Sequence, residues 1–207
     1  GRPVRAANDA NCFALSEATD GAAAGCKIVF GIIAGTGVGG GVCINGRALT
    51  GAHAIAGEWG HNPLPAARPN EIPGPQCYCG KRGCIESWCS GPALTAQFES
   101  ATGRELKPTE IAAAAQNGDA AALQIMDAYL DRLARAIATL VNIVDPHAIV
   151  MGGGLSNIEQ FYTELPERVE QYGFNPEGET VIVRNRYGDS SGVRGAAWLW
   201  KESDAEL

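Results

Sequence analysis

Residues 28–46 read Ile28-Val29-Phe30-Gly31-Ile32-Ile33-Ala34-Gly35-Thr36-Gly37-Val38-Gly39-Gly40-Gly41-Val42-Cys43-Ile44-Asn45-Gly46. The first seven form a near-continuous apolar run, as in a strand buried on both faces. A glycine-rich turn follows and Val42-Cys43-Ile44 returns as a strand. Asn45-Gly46 is a strong type I′ hairpin signal ahead of Arg47-Ala48-Leu49. Residues 28–50 therefore predict three antiparallel strands. Gly35 to Gly40 satisfies G-x-G-x-x-G, but the dinucleotide fingerprint needs a helix directly after the loop, and a strand follows here. A phosphate loop of the Gly-Lys-Ser/Thr type is absent from the sequence. A glycine hairpin can still hold phosphate on successive N–H groups, with the Thr36 hydroxyl added, or be a plain tight turn.

Working outward, residues 62–76 carry five prolines without a period and read as a loop. A helical pattern runs from Ile85 to about Thr102, and Pro108-Thr109-Glu110 opens a short helix. A longer one spans about Asp119 to Val144, with a stripe of Leu123, Met126, Leu130, Leu133, Ile137, Leu140 and Val144 at steps of three and four. That stripe is core packing. Ala148 to Met151 and Val181 to Val183 read as strands, Gly152-Gly153-Gly154 as a turn, Ser156 or Asn157 as a cap, and Val193 to Lys201 as a last helix. Hairpin strands, then helices, then a strand–helix unit indicate a mixed α/β layer fold.

With 207 residues, 45% hydrophobic and 19% charged, the chain suits a globular core. Its net charge of −7, without a Lys/Arg run, argues against nucleic-acid binding by this chain. No signal-peptide pattern or membrane-length apolar stretch is read in it. Gly1 in place of Met implies a start part-way into a longer protein, or a tag scar.

Seven cysteines is an odd count, and three lie in Cys77-Tyr78-Cys79-Gly80-Lys81-Arg82-Gly83-Cys84. Gly80 and Gly83 let the chain fold back so that the sulfurs converge, and His61 offers a fourth ligand. Cys77, Cys79, Cys84 and His61 make a closed zinc set of the structural type, within a subsegment 61–86. The alternative is buried or redox-active cysteine. Metal rather than disulfide usage makes a reducing cytoplasm the natural compartment. Glu58 lies three residues before His61 and Glu86 two after Cys84, so a metal there gathers two carboxylates. With Asn8 and Asp9 they suit a polyol, whose hydroxyls both donate and accept. Read singly, Glu58 and Glu86 are surface groups, and Asp9 or Asn11 is the N-cap of a helix beginning near Phe13.

Two stretches in this order resemble the ROK family of sugar kinases and repressors: Ala34 to Gly41 running through Gly57-Glu58-Trp59-Gly60-His61, and Cys77 to Glu86. The similarity covers Asn8 to Trp200. Trp59 to Pro65 and Gly188 to Trp198 look most like the fructokinase/mannokinase branch, with the N-acetylglucosamine kinase branch close behind. The resemblance implies an actin-like fold of two ribonuclease-H-like lobes with ATP in the cleft, a hexose and Mg²⁺–ATP as ligands, and often a homodimer. It implies Asp9 as the base that takes the proton from the sugar hydroxyl. Asn8, Glu58, His61 and Glu86 would hold the ring, His61 while bound to zinc. Gly35, Thr36, Gly37, Gly39 and Gly40 would face the phosphates and Gly152, Gly153 and Gly154 the adenosine. The family's Asp-x-Gly-x-Thr phosphate motif has no match. The expectation is thus the C-terminal lobe over 1–207, most of the first lobe missing, and no useful turnover from this chain alone. A sugar-sensing repressor or a zinc-knuckle interaction module are the competing readings.

Overall fold

The computed structural model describes residue 2 and residues 4–174 and 180–200. Its elements are α1 (Asp9–Thr19), β1 (Ile28–Ala34), β2 (Val38–Ile44), β3 (Arg47–Ala48), α2 (Ile85–Cys89), α3 (Gly91–Thr102), α4 (Pro108–Gln116), α5 (Ala120–Val144), β4 (Ala148–Gly152), α6 (Gln160–Thr163), α7 (Leu165–Glu170), β5 (Ile182–Arg184) and α8 (Ser191–Trp198). The strands form one sheet in the order β3-β2-β1-β4-β5. β1 runs antiparallel to β2, with Ile32 opposite Gly40, and parallel to β4, with Ile33 opposite Gly152. The expected 28–50 hairpin cluster is present. β2 begins at Val38, however, so Gly39 to Gly41 pair within the sheet and are not turn residues.

The alternation of β1 sorts the core into two layers. Phe30, Ile32 and Ala34 join Ile149 and Met151 under α2 to α7, and Val29 joins Val150 and Cys43 under α1. On the first face α5 supplies Met126, Leu130, Leu133 and Ile137 as its buried stripe. Leu123 departs from that expectation: it lies in the first turn of α5, past the core, and stays half exposed. The single helix expected over 85–102 is two. Ser90 is extended and its side chain accepts from the Ala93 N–H, capping α3, whose second residue is Pro92. A serine cap followed by proline is a helix-start signal inside an otherwise continuous pattern.

On the second face α1 lies on bare backbone. A Cβ at Gly31 would stand 2.7 Å from the Phe13 ring and one at Gly152 2.6 Å from it, while one at Gly41 would collide with the Ala10 carbonyl. Gly195 of α8 approaches the Cys12 carbonyl from the other side in the same way. The Glu17 carboxylate, with no exposed surface, fixes the helix from below. It accepts from Ser191 Oγ at 2.6 Å, Ala22 N at 2.8 Å and Arg186 N at 3.1 Å. Arg194 pairs with Asp20 beside it.

The proline-rich loop 62–76 is held by charge instead of apolar packing. Arg135 of α5 donates to the carbonyls of Pro65 and Ala66, both at 2.9 Å, and to Glu71 at 2.8 Å; Arg132 donates to Glu71 at 2.7 Å. Burial alone would raise the Glu71 carboxyl, but Arg135, the Arg68 N–H and Arg132 outweigh it and hold it at about 2, against an ordinary 4.5. A folded pKa below the unfolded one gives stability that is complete above the ordinary value and is lost as pH falls toward the folded one. Glu71→Gln is therefore expected to cost about 3 kcal/mol near neutral pH. The gap between wild type and variant should shrink steadily from about pH 5 toward pH 2. Urea unfolding across that range checks it, and a gap that does not change with pH would refute the ion-pair account.

Candidate functional site

Helix α1 starts four residues earlier than the sequence pattern indicates, and its cap is Asn8, where Asp9 or Asn11 was expected. Asn8 Oδ1 accepts from the Ala10 N–H at 2.8 Å. Asp9 is the first helical residue, exposed at the tip, and its Oδ1 also accepts from Ala10 N at 2.8 Å. Asn11 is buried inside the helix with Oδ1 unpartnered.

Beside that tip lies a cavity of about 400 Å³. Asn8, Asp9, Glu58, His61 and Glu86 line it together with Gly35, Thr36, Gly37, Gly39 and Gly40. Residues up to 78 positions apart are thus gathered where β1 ends and β2 begins. Glu86 sits in the first turn of α2 and its Oε2 accepts from Val38 N at 2.9 Å. A Cβ at Gly37 would meet the same oxygen at 2.5 Å, so a side chain there would push this carboxylate aside. None of Gly35, Gly37, Gly39 or Gly40 has positive φ. The αR–αL alternation of an anion nest is not formed, and Val38 N already serves Glu86. Glu58 stands next to Trp59, whose indole N–H donates to the Gly39 carbonyl at 3.0 Å and ties the 57–61 turn to β2.

A second cavity, of about 370 Å³, opens beyond the end of β4. Gly153 and Gly154 line it with Ser156, Asn157, Arg184, Asn185 and Gly188. Gly152 does not. It is buried in β4, where its missing side chain makes room for Phe13. Ser156 and Asn157 belong to a 3-10 turn and cap no helix, since Ser156 Oγ bonds back to the Gly153 carbonyl at 2.7 Å. Gly35 of the first cavity and Gly154 of the second nearly touch, a Cβ at Gly35 falling 3.7 Å from Gly154 N. Two adjoining cavities at the carboxyl ends of the parallel pair β1 and β4 match the usual place for ligands in sheets of this kind.

The ligand atoms of His61, Cys77, Cys79 and Cys84 all lie within 4.8 Å of one another. Cys79 Sγ is 3.6 Å from Cys84 Sγ, and Cys77 Sγ is 3.6 Å from His61 Nδ1. This set could hold a metal ion. The Cys84 thiol is pushed up to about 12 by burial first and then by its sulfur neighbours. Two hydrogen bonds carry the cluster toward α2: Leu64 N to Gly83 O at 2.9 Å and Ile85 N to Asn62 O at 2.9 Å.

Sequence reasoning missed Tyr78. Its hydroxyl lies 2.9 Å from His61 Nε2, and the side chain lines the first cavity. The charge of Glu86 foremost, then burial, then Cys77, Glu58 and Cys79 raise its phenol above the ordinary value. Its place between Cys77 and Cys79 was the available signal. Arg184, Asn185 and Gly188 were also unassigned, and only the quoted stretch from Gly188 touched them.

Among the described residues, Glu86 supplies the side-chain acceptor of the Val38 amide. Glu86→Ala should therefore let the Val38 amide exchange with deuterium about tenfold faster, the equivalent of one net hydrogen bond. Exchange followed by mass spectrometry tests this, and an unchanged rate would show that β-pairing alone protects that amide.

The architecture has close relatives. A ROK hexokinase from Thermus thermophilus superposes with a TM-score of 0.86 and 33% identity over 100% of this chain and 68% of its own. A ROK glucokinase from Streptomyces griseus, solved with glucose and AMPPNP, gives 0.81 and 28% over 95% and 68%. Both have the actin-like ATPase fold, and the sheet described above is of that fold. An N-acetyl-D-glucosamine kinase of Yersinia enterocolitica is 43% identical over 203 residues, covering 96% of this chain and 67% of the relative. The chain spans about two thirds of the length of the curated relatives it matches. The ROK family profile matches residues 1–203, the same span that builds the helix tip, both cavities and the cysteine knuckle, and the chain belongs to the ROK family.

Proposed function

We propose that this chain is the sugar-binding and base-bearing lobe of an ATP-dependent sugar kinase, with N-acetylglucosamine preferred. The observation that carries this reading is the pair of adjoining cavities, one lined by carboxylates, an imidazole and a helix-tip aspartate, the other by glycines, Arg184 and Asn185. The fructose or mannose preference suggested by Trp59 to Pro65 and Gly188 to Trp198 finds less support than its alternative, since relatives 42–43% identical to this chain are N-acetyl-D-glucosamine kinases.

In this reading Asn8, Glu58, His61 and Glu86 orient the sugar by accepting from and donating to its hydroxyls. Asp9, fixed at the tip of α1, takes the proton of the hydroxyl that is phosphorylated, so that the oxygen gains nucleophilicity as its O–H bond breaks. ATP with Mg²⁺ would lie between Gly35, Thr36 and Gly37 on one side and Gly153 and Gly154 on the other, and would supply the phosphoryl group. The chain's own contribution is placement of the sugar hydroxyl and removal of its proton. A sugar-sensing repressor needs no base, whereas Asp9 is presented to the cavity in an exposed position.

A coupled assay of the full-length protein with ATP, Mg²⁺ and N-acetylglucosamine, glucose, mannose or fructose tests the proposal. N-acetylglucosamine should give the highest kcat/KM. Asp9→Asn should lower kcat by about 10²–10⁴-fold while sugar affinity stays within about threefold. Turnover that survives the substitution would reduce Asp9 to a capping or binding group.

The metal reading is part of the proposal. Three thiol sulfurs and an imidazole nitrogen are the donor set of closed structural zinc sites, in which Zn–S bonds of about 2.3 Å put sulfurs about 3.8 Å apart. The 3.6 Å between Cys79 and Cys84 is close to that spacing. His61 would ligate through Nδ1, and the ion would fix the segment that carries Glu58 and Glu86. Elemental analysis of protein purified without chelator should find one zinc per chain, and Cys79→Ser should lower both zinc content and melting temperature. Protein that is folded and free of stoichiometric zinc would overturn the assignment.

A further inference from the structure

The hydrogen-bonding groups of the first cavity are unbalanced. Asp9, Glu58 and Glu86 are carboxylates, suited to hydroxyl donors, and a ligand carbonyl finds no partner among them. Asn8 spends its Oδ1 on the helix cap. His61 turns Nδ1 toward Cys77 Sγ and has Nε2 2.9 Å from the Tyr78 hydroxyl. With Nδ1 given to the metal of the zinc reading, Nε2 would carry the proton and donate to the phenol oxygen. The phenol proton is then left for something else. The Tyr78 ring stands edge-on to the imidazole, at 5.1 Å and 85°, and the residue is 83% exposed, so its face is open. One donor beside an apolar face is what an acetamido group fits, with one carbonyl oxygen and one methyl. Thr36 and Asn8 offer donors to the same cavity but no aromatic face.

We propose that Tyr78 sets the preference of this site for N-acetylated hexosamines over plain hexoses, its hydroxyl donating to the acetamido carbonyl and its ring covering the acetyl methyl. The inference rests on the sugar-kinase reading above and names the group that selects the substrate class. A carboxylate at that place would repel the carbonyl, and an aliphatic residue would leave it without a partner. The preference of a site built to bond a polar group comes largely from that partner being present.

Isothermal titration calorimetry on the full-length protein tests this with N-acetylglucosamine and glucose as the two probes. Tyr78→Phe keeps the ring and removes the donor. It should weaken N-acetylglucosamine about fivefold and move glucose by less than twofold. Tyr78→Ala, which also removes the ring face, should weaken N-acetylglucosamine further. Zinc content should be the same in all three proteins, because the side chain is exposed and its sulfur neighbours are untouched. Equal losses for both sugars, or no loss for either, would overturn the assignment of Tyr78 and leave the kinase reading standing. A wild-type protein that binds neither sugar would overturn the kinase reading and this inference with it.

Discussion

Helix α1 lies closer to its sheet than side chains would permit, because Gly31, Gly41 and Gly152 carry none at the contact. The distance between Asp9 and the end of β1 is set there. Phe13 fills the space over two of those glycines, and Gly195 lets α8 close from outside. Interiors pack at crystal-like density, so an added methyl at such a point has to be met by moving backbone. The helix tip, the glycine turn and the second cavity therefore keep their spacing through van der Waals contact. Glu17 then fixes the helix along its axis, through donors that belong to the segment just after β5.

The other half of the site depends on a different force. His61 and Cys77 are separated by a proline-rich loop, and two arginines from one face of α5 hold that loop by Glu71 and two carbonyls. Buried charge of this kind costs desolvation and is stabilising only as a complete set. Here every partner is present, and the loop ends are delivered to the cysteine knuckle. Glu58, His61 and Glu86 reach the cavity from this arginine-held segment, while Asn8 and Asp9 reach it from the glycine-held helix.

Much of this was legible because the decisive features are local. The apolar run 28–34, the Asn45-Gly46 turn and the α5 stripe each state their own period, and the Cys-x-Cys spacing states its own chemistry. What escaped depends on distant partners. Gly39 to Gly41 look like a loop until Trp59, Phe30 and Ala10 are placed against them. Gly152 was grouped with Gly153 and Gly154 by the family resemblance, and only the position of Phe13 shows what its missing side chain makes room for. The break at Ser90 was visible in Ser90-Gly91-Pro92, but the surrounding helical period masked it. Tyr78 could be seen in the sequence, yet the direction of its hydroxyl follows from where His61 stands.

The Glu17 carboxylate also bears on the order in which the molecule can assemble. Its partners Arg186 and Ser191 lie 169 and 174 residues further along the chain. During synthesis the helix therefore precedes by a long stretch the donors that satisfy its buried oxygens. Until then the carboxylate has only the Ala22 N–H and water, and the seat under Phe13 lacks β4. Contacts of such long sequence separation form late and slowly. The helix that carries the proposed base is thus translated well before β5 and α8 and is locked in place only after they are made.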